Sequence, residues 1–258
     1  FMDYIIADKV VIPKPFETSY SENIIHLPHS YQVNDNTRTI SESIPTKLEM
    51  GLPENGFVFC CFNSNYKISP SAFNIWMHLL KEVKGSVLWL LKSNQWAKHN
   101  LRAEAESRGI SGNRLVFAEP ISQAKHLARL RLADLFIDTF NINAHTTASD
   151  ALWAGLPVIT KLGRGFAARV AGSLLRAIDL PELITETEKE YESLILKLAT
   201  NPKQLIEVKE KLAFNLLSKP LFNTELFTRH LENGYQQAYD RYFDDKKPNK
   251  INVPVNIS

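Results

Sequence analysis

Short apolar runs recur at residues 57–62, 86–91, 114–117, 135–138 and 158–160, each of strand length and rich in Val, Leu, Ile and Phe. Between them, apolar positions follow helical spacing. Phe73, Ile75, Trp76, Leu79 and Leu80 share a face after Ser69-Pro70, where proline suits a first helical turn. A more polar helix is predicted at 95–108, stopped by Gly109, and a third at 123–132. Residues 147–154 read as helix; Gly155 can end it, Pro157 bars its continuation, and Val158 restarts a strand. Closing helices are predicted at 166–178, 188–199, 202–217 and 224–243. Strands alternating with helices at this spacing predict an α/β fold, a doubly wound parallel sheet covered on both faces.

The two ends read differently. Residues 2–7 and 23–25 are short strand candidates, and the Asn-, Asp-, Thr- and Ser-rich stretch 33–43 reads as a linker. The first 32 residues are too few to build a core alone. The tail 244–258, with its Asp-Asp-Lys-Lys-Pro run, reads as a solvated, partly disordered end. Phe1 ahead of Met2 suggests a chain cut from something longer.

Composition narrows the function classes. A net charge of +2 without a basic run gives no footprint for nucleic acid. No apolar run reaches about 18 residues, so no membrane span or signal peptide is expected. Cys60 and Cys61 are neighbours on a strand and point to opposite faces, which predicts two reduced thiols of a cytoplasmic protein. Gly-x-Gly-x-x-Gly and Walker loops are absent, and no Cys/His spacing fits zinc.

The polar residues worth attention stand at strand ends, where ligands bind in open parallel sheets. Lys67 follows the run 57–62; it reads as a surface lysine or as an anion contact. His126 and Arg129, three apart, share a helix face, as a polar stripe or a ligand pair. His145, Thr146 and Thr147 open the helix at 147–154, more than N-capping requires. Their position suits an anion, for which a sugar-nucleotide diphosphate is the expectation. Asp150, on the same helix, could accept hydrogen bonds from a ribose diol or favour the helix N-terminus. Arg164 and Arg169 could clamp an anion, with solvated surface the plainer reading for Arg164.

Read together, Phe62-Asn63, Tyr66-Lys67-Ile68 and Pro70, then Leu132-Ala133-Asp134, His145-Thr146-Thr147, Asp150, and Leu152-Trp153-Ala154-Gly155-x-Pro157 form a pattern. So do Ala168-Arg169-Val170-Ala171 and residues 220–224, Pro-Leu-Phe-Asn-Thr. This pattern resembles the O-GlcNAc transferase family over nearly the whole chain to about residue 243. Gly-x-Pro alone would be shared by many GT-B glycosyltransferases.

The resemblance implies the C-terminal, Rossmann-like half of a GT-B glycosyltransferase. That family moves N-acetylglucosamine from UDP-GlcNAc to protein Ser or Thr, inverting the anomeric centre without a metal or other cofactor. Carried over by position, Lys67 meets the diphosphate and, with His145, is the catalytic expectation. His145, Thr146 and Thr147 hold diphosphate and sugar, and Asp150 the ribose. His126 and Arg129 face the uracil side, where the backbone at Ile121 reads the base edge. Ser64 stands where animal members have glutamine, Gln123 where they have lysine, and Ile142 where they have cysteine; these departures bear on the donor sugar more than on the nucleotide. With only a short linker in place of the animal intervening domain, the resemblance is to a bacterial-type member.

The expected organisation is therefore 1–46 as the remnant of an N-terminal catalytic half plus linker, 47–243 as the UDP-sugar-binding domain, and 244–258 as tail. The rest of the N-terminal half, tandem TPR repeats and most of the acceptor side would lie outside the chain, which alone should bind UDP weakly and not turn over. The rival readings are an adhesin-modifying N-glycosyltransferase using a UDP-hexose and a non-catalytic scaffold.

Overall fold

The computed structural model describes residues 2–256; Phe1 and the last two residues of the predicted tail lie outside it. The five predicted apolar runs become β3 (Val58–Cys61), β4 (Val87–Leu91), β5 (Leu115–Ala118), β6 (Leu135–Ile137) and β7 (Val158–Lys161). A sixth strand, β8 (Ile184–Thr185), was not predicted; two residues carry no periodicity, and only pairing of Thr160 with Ile184 and Lys161 with Thr185 defines it. All six are parallel, in the order β5-β4-β3-β6-β7-β8. The central pair is buried on both faces, with Phe59 of β3 between Leu88 and Leu135.

The helices are α1 (Pro70–Glu82), α2 (Gln95–Ser107), α3 (Gln123–Leu130), α4 (Thr146–Trp153), α5 (Val170–Ala177), α6 (Glu188–Thr200), α7 (Pro202–Asn215) and α8 (Thr224–Phe243). Ser69 caps α1 by accepting from the Ala72 amide, while Gly155, at φ +85°, turns the chain out of α4 as only a residue without Cβ does cheaply. The helix predicted at 166–178 is two pieces: a 3-10 turn, Phe166–Ala168, and α5, broken at Arg169. α1 packs on α6, and α4 neighbours both α3 and α5. Right-handed crossovers put these two groups on opposite faces of the sheet.

A second, three-stranded parallel sheet has the order β1 (Tyr4–Asp8), β2 (Asn23–Leu27), β9 (Ile251–Asn252). Its third strand corrects the reading of the tail as solvated at residues 251–253, while 244–250 are exposed as expected. Ile251 and Val253 are buried with Ile25 and Leu27, and the Val253 amide donates to the His26 carbonyl. The linker at 33–43 has no helix or strand, yet it is packed: Asn34 is buried, and its amide donates to the Leu221 carbonyl. Cys60 and Cys61 are free and buried, and burial pushes both thiols up.

Candidate functional site

The chain direction reverses across the sheet between β3 and β6, where successive connections run to opposite sides; in open α/β sheets ligands bind at the strand carboxyl ends at such a point. Asn63 and Lys67 come from the end of β3, and residues 138–147 from the loop joining β6 to α4.

One buried acid organises that loop. Asp138 Oδ1 accepts from the Thr139 amide (2.8 Å), the Ala144 amide (2.6 Å) and Asn63 Nδ2 (3.0 Å), while Oδ2 accepts from the Thr160 hydroxyl (2.6 Å). Burial pushes its carboxyl up to about 6, against the four donors, which favour the charged form. Asn143 donates its side-chain amide to the Thr139 carbonyl at 2.7 Å, and its backbone amide donates to the Ala167 carbonyl. Asn63 then accepts the Thr147 hydroxyl at 2.6 Å, joining β3 to the first turn of α4.

Lys67 is thereby placed at that turn. Its Nζ donates to the Asn143 carbonyl at 3.0 Å, two residues before the N-cap. The N-cap is His145, which makes no side-chain cap hydrogen bond. The amides of Thr146 and Thr147 have no intrahelical acceptor, so a half-buried ammonium and free helix N–H groups converge on one spot. That is the geometry of an anion site. The Thr147 hydroxyl is engaged with Asn63, leaving its backbone N–H for a ligand; Thr146 is exposed.

His145 Nε2–H donates to the Ala167 carbonyl at 3.1 Å. Burial, opposed by that hydrogen bond and reinforced by Lys67, lowers its pKa, so the ring is neutral with Nδ1 free as an acceptor. It can hold a hydroxyl or amide proton but adds no positive charge.

His126 and Arg129 form the second cluster, and here the polar-stripe reading fails because Arg129 is 1% exposed. Its guanidinium lies 5.0 Å from the Phe62 ring centre, and NH2 donates to His126 Nδ1 at 2.7 Å. Burial, then the neighbouring Arg129, push His126 down to about 4. With Nδ1 occupied, the neutral ring carries its proton on Nε2, a donor suited to a base carbonyl. Phe62, directly ahead of Asn63, touches His126 as well and ties this cluster to the first.

The remaining candidates are more dispersed. Asp150 is ion-paired through Oδ1 to Arg38 of the linker, whose own carbonyl accepts from Trp153 Nε1 at 3.1 Å. Ser64 is exposed at the start of the 3-10 turn that carries Lys67. Gln123 is exposed at the start of α3, and Ile121 lines a separate hollow with Met50 and Lys125. Arg169 is no anion clamp: its Nε and NH1 donate to the carbonyls of Val10 (2.6 Å) and Gly163 (2.8 Å). Sequence reasoning missed Arg38, Asn63, Asp138 and Asn143 as site-building residues. For Asn63 and Asp138 the one available signal was their place at the ends of buried strands. Among the described residues no group of three His, Cys, Asp or Glu side chains could hold a metal ion, and no helix is long and apolar enough to cross a membrane.

Comparison with known proteins gives a consistent set of relatives. The family model described as Glycosyl transferase family 41 matches residues 39–231. The chain is 35% identical over 262 aligned positions to the probable UDP-N-acetylglucosamine–peptide N-acetylglucosaminyltransferase SEC of Arabidopsis thaliana, covering 99% of this chain and 27% of that protein. It is 34% identical to the UDP-N-acetylglucosamine–peptide N-acetylglucosaminyltransferase of Caenorhabditis elegans, covering 77% of this chain and 17% of that one. A solved structure of an O-GlcNAc transferase mutant from Thermobaculum terrenum superposes with a TM-score of 0.82 at 28% identity, over 95% of this chain and 45% of that one. The chain thus spans about a quarter or less of the length of these two curated relatives.

Proposed function

Because the chain belongs to glycosyl transferase family 41, we propose that it is the donor-binding half of a protein O-glycosyltransferase, moving N-acetylglucosamine or a related sugar from its UDP donor to Ser or Thr with inversion. The observation that carries this is Lys67 fixed beside the uncapped N-terminus of α4. A UDP leaving group gathers negative charge as the glycosidic bond breaks. An ammonium and preorganised N–H groups at that point stabilise it without further rearrangement.

The same geometry supports the other roles in this reading. Thr146 and Thr147 offer the diphosphate their amides, and His145 Nδ1 accepts a hydrogen bond from the donor sugar or from the incoming hydroxyl. His126 Nε2–H addresses the uracil, with Gln123 and the Ile121 backbone on the nucleoside side and Ser64 near the diphosphate, on the turn that carries Lys67. Asp150, its orientation set by Arg38, keeps Oδ2 for the ribose hydroxyls. The protein acceptor, an N-terminal catalytic half and TPR repeats complete the enzyme in a cytoplasmic setting. The relatives named above give no support to an adhesin-type N-glycosyltransferase or a scaffold.

The test uses the full-length protein with UDP-GlcNAc and protein acceptors, comparing wild type with Lys67→Ala. Loss of one donor to a developing oxyanion costs about 2.7–4 kcal/mol, so transfer should fall roughly 10²–10³-fold while UDP still binds in calorimetry. Undiminished transfer by the variant removes Lys67 from the mechanism.

A further inference from the structure

We propose that the open cavity at the carboxyl end of β7 is an acceptor subsite that takes an acidic side chain, Asp or Glu, of the protein being glycosylated. The proposal rests on the transferase reading above. The cavity measures about 720 Å³, the size of a ligand cleft rather than of a single-ion site. Phe16 and Phe140 give it apolar walls, and Lys161, Arg164, Arg169 and Glu186 supply its charge.

These charges are not equivalent. Arg169 is committed to backbone carbonyls. Lys161 and Arg164 make no ion pair among the described residues. Lys161 Nζ lies 4.7 Å from the Phe140 ring centre, which holds the ammonium over the cavity wall, and Arg164 is exposed. Glu186, also exposed, is the sole acid in the lining. Two available cations against one acid, between two aromatic walls, match a peptide bearing a carboxylate.

The strand order says which ligand would meet this surface. His126 and Arg129 lie beside β3 on its β4–β5 side, the Lys67 site lies at the β3–β6 seam, and the cavity lies beyond it at β7. A donor whose base is at His126 and whose diphosphate is at Lys67 points its sugar toward β7, so the acceptor arrives from that side. The cavity is also built on the donor loop. Phe140 lies between β6 and His145, and the Ala167 carbonyl, one residue before the cavity's Ala168, receives both the Asn143 amide and His145 Nε2–H. A peptide seated there passes one loop away from the anion site.

The test presents full-length enzyme with arrayed Ser/Thr peptides in matched sets, in which residues flanking the acceptor are Asp/Glu, neutral or Lys. Wild type should favour the acidic over the neutral set by about fivefold in kcat/KM, the scale of two partly exposed ion pairs, and raised salt should erase the preference. The double variant Lys161→Glu/Arg164→Glu should reverse the ranking with UDP affinity and donor hydrolysis unchanged. An identical ranking in both proteins, with UDP binding intact, overturns the proposal. So does a shift confined to the choice between neutral and carboxylate-bearing donor sugars, which would assign the cavity to the donor. Failure to transfer to any peptide removes the transferase reading itself, and the subsite with it.

Discussion

Asp138 touches no ligand position directly, yet the loop that presents Lys67's acceptor carbonyl and the start of α4 is wound around it. Its Oδ1 holds three N–H donors and its Oδ2 a hydroxyl. Asparagine could keep the first three through its carbonyl, and the Thr160 hydroxyl could rotate to accept from the new amide, so Asp138→Asn should cost within about 1 kcal/mol. Alanine would leave the Thr139 and Ala144 amides buried without an acceptor, each costing about 1–3 kcal/mol, and should lower stability by roughly 3 kcal/mol. Urea unfolding of the two variants checks this; equal losses would show that the loop does not depend on these bonds. In the sequence Asp138 is one acid at the end of an apolar run, and nothing local distinguishes a buried hub from a solvated end. Lys67, His145 and Thr147 were legible because they follow strands or open a helix. Asn63 and Arg38 were not, since their partners lie 84 and 112 positions away.

At the scale of elements, the small sheet is held by α8, and Gly234 is where they approach. A Cβ there would stand 2.9 Å from Ile25 Cγ2 and 3.3 Å from Val253 Cγ2. Those two side chains belong to β2 and to the segment just after β9, so Gly234→Ala must push the helix off both. Overpacking of this kind costs about 1–3 kcal/mol, and hydrogen exchange should show faster exchange of the Val253 amide, which donates to His26. Unchanged protection there would mean that β9 does not depend on α8. The main sheet was readable because β3, β4, β6 and β7 are apolar runs bounded by turn residues. β8 and β9, two residues each, were not. Such strands exist through their partners, and Asn-Lys-Ile-Asn-Val-Pro reads as tail until it is seen lying against Ile25.

For the whole molecule, burial of ionisable rings sets the response to acid. His26, His29, His126 and His145 all have lowered pKa values, in each case first because burial disfavours the charged ring, and His126 is carried to about 4 from an ordinary 6.5. The unfolded chain therefore binds protons that the folded chain refuses. Stability present above pH 6.5 is lost as pH falls toward about 4. Asp138, raised to about 6, and Asp150, also raised, act in the opposite sense: burial makes the folded chain take up their protons first, so part of the loss is returned on acidification. Four depressed histidines against two raised acids predict a net decline. The melting temperature should fall steadily between pH 6.5 and 4.5. The fall should be shallower in His126→Gln, which removes one refused proton, and steeper in Asp138→Asn, which removes an opposing group. A melting temperature that is level or rises over that interval would show that the buried rings accept protons in the folded state. It would also undo the neutral-imidazole roles assigned to His126 and His145, because both depend on a ring nitrogen with one fixed function at the pH of catalysis.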